Sequence, residues 1–240
     1  MAAPVSAKSV LSELKSLGKP SYKKVMLNHG AREPIHGVAI SELKKIQKRA
    51  GGTNHALALE LWDSGVYDAM YLAALLADDA QMAARDLQRW VAGANCKALW
   101  EYSVPWVASG SPEGWKQALK WIDSRKEHEA AAGWATLGCI VAMREDAELD
   151  IAQLKKLLAR VEKEVRTAPN RVRYVMNAFI IAVGSHVKPL TTEALALGKR
   201  LGHVEVDMGD TACKVPDVVE SIGKVKARGN WGKKRKSIKC

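Results

Sequence analysis

The strongest constraint on the fold is a change of helical pattern within one stretch. Residues 152–165, AQLKKLLARVEKEV, place apolar side chains three and four apart with charges between them. Residues 174–184, YVMNAFIIAVG, are apolar almost all round. A one-sided helix keeps a face in water, whereas an all-round apolar helix must be buried. The same pairing, joined by brief turns, recurs roughly every 40 residues along the chain. That pattern predicts an all-α array, an α/α solenoid in which each pair gives one helix to solvent and one to the stack. An irregular α bundle is the alternative. Ser41 is predicted as an N-cap ahead of Leu43 and Ile46, Asn54 ahead of Leu57, Leu61 and Trp62, and Asp150 ahead of the stretch above. Ser111 and Pro112 read as N-cap and first helical residue of another segment. Tyr67, Met70, Tyr71, Ala74 and Leu75 share one stripe. Only HVEVDMG, residues 203–209, alternates as a strand would, and it is short.

With 240 residues the chain is long enough for one large core. No internal boundary shows, so residues 1–228 are expected to form one domain and residues 229–240 a flexible basic tail. The net charge is +11, but residues 224–239 carry eight basic side chains and no acid. The other 29 Lys and Arg face 26 Asp and Glu, leaving the body at +3. High pI is therefore a property of the C-terminus, and a basic body surface requires charges sorted by face. No apolar run approaches the length of a membrane span, and the first residues lack a signal-peptide core. Four cysteines without metal-ligand spacing fit free thiols in a reducing cytoplasm. These features predict no membrane partner, no metal and no cofactor.

Glycine-rich phosphate loops, nucleophile elbows and zinc-protease signatures are absent from the sequence. His29 and His36 match no standard metal spacing. Residues 94–110, ANCKALWEYSVPWVASG, gather Trp100, Glu101, Tyr102 and Trp106. A carboxylate beside indoles is either a desolvated catalytic group or a surface acid beside core aromatics. The segment PNRVRYVMN sets Arg171 and Arg173 in a first helical turn, where planar guanidinium forks suit phosphate. Lys44, Lys45 and Lys48 recur at a comparable place, as do Lys23 and Lys24. Projected onto one surface these would form a phosphate track; otherwise they are solvated faces. In the C-terminal region the candidates are Lys224, Lys226, Arg228, Lys233, Lys234, Arg235 and Lys236, with Trp231 as a possible anchor. Asp207, Asp210 and Cys213 mark a dense polar loop whose spacing matches no calcium loop.

Several blocks in order, NHGAREPIHGVAISELKKIQKR, HALALELWDSGVYDAMYLAALLAD, DLQRWV, EHEAAAGWATL, APNRVRYVMNAFIIAVGS and VDMGDTACKVP, resemble the AlkD-type DNA alkylation repair family. The resemblance implies a solenoid of HEAT-like repeats around double-stranded DNA, with the chain acting as a monomer. Its well-studied members are DNA glycosylases that release cationic alkylated purines such as 3-methyladenine and 7-methylguanine. There a carboxylate with aromatic neighbours stabilises a sugar cation. This chain departs from that pattern. The Asp expected four residues after a Trp falls near Lys97, the following basic residue near Ala130 or Ala131, and a Trp-Ala-Leu-Arg segment near Ala178 and Ile181. A lysine would repel a sugar cation. Glu101 is the nearby acid that could substitute, with Trp100 or Trp106 lining the site. The expectation is a DNA-binding HEAT-like protein without the standard glycosylase mechanism. Its rivals are an active glycosylase built on Glu101 and a scaffold for protein or RNA.

Overall fold

The computed structural model describes residues 5–239. Residues 1–4 and Cys240, the last residue of the expected tail, lie outside the described residues. Among the described residues every regular element is helical, which removes the strand suggested by residues 203–209. The contacts fall into two compact units. One is built on residues up to Gly114 with Gly209–Thr211, the other on Trp115–Met208 with the residues from Ala212 onward.

The first unit contains α1 (Ala7–Leu17), α2 (Pro20–Asn28), α3 (Ile40–Arg49), α4 (His55–Asp63), α5 (Tyr67–Leu76), α6 (Ala84–Gly93) and α7 (Val104–Gly110). All ten residues of α5 are buried, which makes it the central helix of this unit. Asp68, at its start, is 1% exposed and accepts the backbone N–H groups of His36 and Val38 at 2.6 and 2.8 Å. Its carboxylate thereby fixes the loop before α3. Trp62 of α4 stacks flat on Trp90 of α6, with ring centroids 4.1 Å apart. On α3, Leu43 and Ile46 face inward while Lys44, Lys45 and Lys48 are exposed. That helix starts at Ile40 with Ala39 at its N-cap. Ser41 is thus inside the helix, and the predicted cap is corrected by two residues.

One turn of wide helix, Leu99–Ser103, leads into α7. The Val104 N–H reaches back five residues to the Leu99 carbonyl. Pro105 follows, and it has no N–H to offer the carbonyl of Glu101, so the regular four-residue ladder cannot run through this point.

The second unit contains α8 (Gly114–Trp121, starting at the border), α9 (Glu127–Met143), α10 (Ile151–Glu164), α11 (Asn170–His186), α12 (Thr191–Leu201) and α13 (Val218–Ala227). The long apolar helices α9 and α11 pack side by side, with Trp134 against Phe179 at 5.2 Å. Gly133 permits the close approach to α8, because a Cβ there would lie 2.8 Å from the Ile122 nitrogen. On α10, Leu154, Leu157, Leu158 and Val161 are buried and the lysines between them exposed. Each such leucine contributes about 2 kcal/mol by leaving water. Asp150 caps α10 by accepting from Gln153 N at 2.9 Å, and Asn54 caps α4 by accepting from Leu57 N at 3.2 Å. Ser111 differs from its prediction. It ends α7, donating to the Met82 carbonyl at 2.8 Å, and the next helix does not begin until Gly114.

The C-terminal segment also differs from expectation, because it is laid down on the second unit. Gly229 takes a positive φ of 66° after α13, which turns the chain back. Trp231 then donates its indole N–H to Thr191 Oγ1 at 2.9 Å. Gly232 N–H meets the Ser185 carbonyl at 2.8 Å, and Arg235 N–H meets the Ala142 carbonyl at 2.8 Å. The Lys234 ammonium donates to the carbonyls of Val141 and His186 at 3.1 and 2.8 Å and pairs with Asp146 at 2.8 Å. Val141 and Ala142 belong to the last turn of α9, Ser185 and His186 to the last turn of α11. Those carbonyls have no partner within their own helices, and they carry the negative end of the helix dipole.

Candidate nucleic-acid interface

The tryptophan cluster of the first unit divides between core and surface. Trp106 is 7% exposed and meets Tyr71 edge-on at 5.4 Å. Tyr102, 6.2 Å from Trp106, is exposed, and Trp100 is half-buried. Glu101 is 6% exposed and has interactions of its own within the fold. Lys97 is half-buried, with its alkyl chain close to Gly30.

Of the α3 lysines, Lys45 pairs with Glu42 at 2.8 Å. Lys44 and Lys48 stand one turn apart, both exposed, and neither makes an ion pair among the described residues. Two uncompensated ammonium groups on one face are suited to successive phosphates. Lys23 differs, since it is paired with Glu33 at 2.6 Å, and that pairing holds the Glu33 carboxyl below its ordinary range.

In the second unit the start of α11 carries no acid in its first turn. Its arginines have separate surroundings. The Arg171 guanidinium lies over the Tyr174 ring at 4.3 Å and donates to Met208 Sδ at 3.6 Å, while its backbone N–H donates to Glu127 Oε1 at 2.7 Å. Among the described residues Arg173 has only a long bond, 3.4 Å, from Nη2 to Asn170 Oδ1. Asn170 itself clamps the loop after α12, donating to the Asp207 carbonyl and accepting from the Asp207 N–H, both at 2.8 Å. Asn177 holds the same loop further on, donating to the Pro216 carbonyl at 2.8 Å. Sequence reasoning found the polar character of this loop but not its clamps.

Two arginines escaped the sequence reading. Arg166 donates to the Leu201 carbonyl at 3.0 Å and lines a cavity with Arg173. Arg160 bonds Asp123 at 2.6 Å, Glu164 at 2.9 Å and the Ile122 carbonyl at 3.1 Å, and approaches the Trp134 ring at 5.9 Å. The i to i+4 spacing of Arg160 and Glu164 was a usable signal. Arg166 offered none, being one charge in a helix end.

The basic C-terminal residues do not act alike. Lys234 is 8% exposed at its side chain and engaged as described above, which removes it from the phosphate-binding candidates. Lys224 pairs with Glu220 at 2.5 Å. Lys226 and Lys188 flank the Trp231 ring at 5.2 and 5.6 Å. Arg228, Lys233, Arg235 and Lys236 are exposed and make no ion pair among the described residues. Three positions where the resemblance implied other residues are apolar here. Ala130 is 6% exposed and lines a cavity with Trp134 and Arg160, while Ala131 is fully buried. Ala178 is exposed and Ile181 half-buried. No helix among the described residues is long and apolar enough to cross a membrane.

The family model for the DNA alkylation repair enzyme matches residues 10–209. The uncharacterized protein Lin0241 of Listeria innocua is 31% identical over 223 residues, 91% of this chain and 96% of that protein. Lmo0209 of Listeria monocytogenes, also uncharacterized, is 31% identical over 221 residues, 90% of this chain and 96% of its own length. A solved structure from a family of proteins related to the HEAT-like repeat DNA glycosylases, with affinity for branched DNA structures, superposes with a TM-score of 0.90 at 35% identity. That match covers 98% of this chain and 100% of the other. The chain therefore belongs to the DNA alkylation repair enzyme family.

Proposed function

We propose that the chain is a DNA-binding HEAT-like repeat protein that holds branched duplex DNA by its phosphates and lacks the standard glycosylase mechanism. The likeness to a protein of a family with affinity for branched DNA, over 98% of this chain, carries the reading. Exposed cations without acidic partners, Lys44, Lys48, Arg228, Lys233, Arg235 and Lys236, supply groups for the phosphate contacts. The loss of glycosylase chemistry rests on the same residues as before. Lys97 stands near the expected carboxylate position, and Glu101 is buried with internal interactions. Burial removes the surface-acid alternative for Glu101, and its internal interactions are what favour a structural role. We take the protein to act as a monomer in the cytoplasm, and an alkylated base to be no requirement for binding.

Fluorescence anisotropy of the full chain with a four-way junction and a linear duplex of the same composition tests the reading. The junction should bind more tightly, and log affinity should fall with log salt by about 0.9 per phosphate contact. Replacing Lys44 and Lys48 by Ala should reduce that slope by about 1.8 without changing the melting temperature. Equal affinity for both DNAs, or binding indifferent to salt, defeats the proposal. Release of 7-methylguanine from methylated DNA, abolished in Glu101→Gln, would instead establish a glycosylase.

A further inference from the structure

The cavity between the end of α10, the start of α11 and the end of α12 lies wholly within the second unit. It has a volume of about 200 Å³, and its lining includes Val165, Arg166, Arg173, Leu201, His203 and Glu205. Its charge is out of balance. Neither arginine forms an ion pair with a carboxylate among the described residues. Among the described residues the Arg173 Nε, buried from solvent, has no hydrogen-bond partner, and its Nη2 has only the 3.4 Å contact to Asn170. Arg166 is exposed, and one N–H of its guanidinium donates to the Leu201 carbonyl at 3.0 Å. Glu205 is exposed and makes no ion pair with either arginine.

A buried donor with no acceptor is costly unless something else supplies the acceptor. An anion suits the position, because two guanidinium groups line the cavity against one carboxylate, Glu205, and the first turn of α11 adds partial positive charge of its own. It must also present several oxygens, since a guanidinium fork is matched by a tetrahedral or planar oxyanion. A cavity of this size accommodates one phosphate with its water, at roughly 30 Å³ per water. His203 supplies the one ring among the walls, and no Trp, Tyr or Phe lines the cavity.

We propose that this cavity is a phosphate-binding site, with the Arg173 guanidinium as the forked donor and Arg166 as the second cation. It deepens the DNA-binding reading by giving the start of α11 one recessed phosphate seat, distinct from the open lysine surface of α3.

Melting curves of the full chain in sodium phosphate and in sodium chloride at matched ionic strength test the site directly. Phosphate should raise the melting temperature saturably, and Arg173→Gln should weaken its apparent affinity about tenfold or more. Arg173→Lys, which keeps the charge and loses the fork, should fall between. If Arg173→Gln fails to fold by circular dichroism, Arg166→Gln is read by the same criterion. No phosphate effect beyond chloride, or an effect unchanged in the folded variants, overturns the proposal. A second arm compares duplexes with a 5′-phosphate and a 5′-hydroxyl. Preference for the phosphorylated end, lost in Arg173→Gln, supports the site and assigns it to a strand terminus; equal binding beside a positive inorganic-phosphate result supports it with internal or free phosphate as the source. A chain that still binds junctions but ignores phosphate sinks the cavity alone. One that binds phosphate but no DNA sinks the DNA reading alone.

Discussion

The two ends of α11 carry the same kind of charge and treat it in opposite ways. At the C-terminal end the Lys234 ammonium meets the His186 carbonyl, the Val141 carbonyl of α9 and the Asp146 carboxylate. Every element it touches is an acceptor, and the local helix field favours a cation. At the N-terminal end Arg173 stands in a field that disfavours it, with one buried N–H lacking an acceptor among the described residues. The first cation is complete within the fold, and its chemistry is structural. The second is incomplete, and its chemistry points to a ligand. Basic residues are therefore not interchangeable evidence of nucleic-acid binding; what matters is whether the fold already supplies their anion.

Substitutions can break this contrast. Lys234→Met leaves Asp146 and two terminal carbonyls facing a side chain without donors. Loss of one member of a largely buried ion pair costs about 3 kcal/mol, and the melting temperature should drop by about 10 °C in a chain this size. Junction affinity of the protein that remains folded should be unchanged; a stable variant with weakened DNA binding would make Lys234 a phosphate ligand after all. Trp231→Ala removes the bond to Thr191 and the ring between Lys188 and Lys226. With the residue 40% exposed, the expected loss is about 2 kcal/mol, read in a denaturant melt. Arg173→Gln should do the reverse of Lys234→Met. Its stability should stay within about 0.5 kcal/mol of the parent or rise, because an uncompensated charge has been removed.

The smallest expected effect concerns His186, whose Nδ1 lies 2.8 Å from the Lys233 carbonyl. Burial holds its pKa below the ordinary 6.5, and the positive charges of Arg235 and Lys234 act in the same direction against the carbonyl bond. The folded state therefore resists a proton that the unfolded chain accepts. Stability is fully present above the ordinary histidine range and declines as pH falls through it. His128, also lowered by burial, acts in the same sense. His186→Asn should flatten the fall in melting temperature between about pH 7.5 and 5.5. A slope identical to that of the parent would show that the histidine is free of the clamp.

The helices and several of their caps were legible in the sequence because both are local. Asn54 and Asp150 bond backbone groups three residues away, so the residues needed to recognise them are adjacent. Ser111 misled because a serine before proline also suits the end of a helix, and its hydroxyl bonds Met82, which lies 29 residues away. The same limit governed Glu101 and Trp106. Their spacing was visible, but which side of the wide turn faces the core depends on α5 and on the missing donor at Pro105. The tail was read as loose from its lack of apolar groups. Its partners are carbonyls up to 93 positions away, and composition does not register them.

The sequence by itself determined an all-α chain of paired helices, the places where many of them begin, and the concentration of net charge near the C-terminus. Only the tertiary structure decided which cations are answered inside the fold and which are left open. The physical reason is range. Helical periodicity and capping are settled within a few residues, whereas the compensation of a charge depends on which groups the packed chain brings to it from tens of residues away.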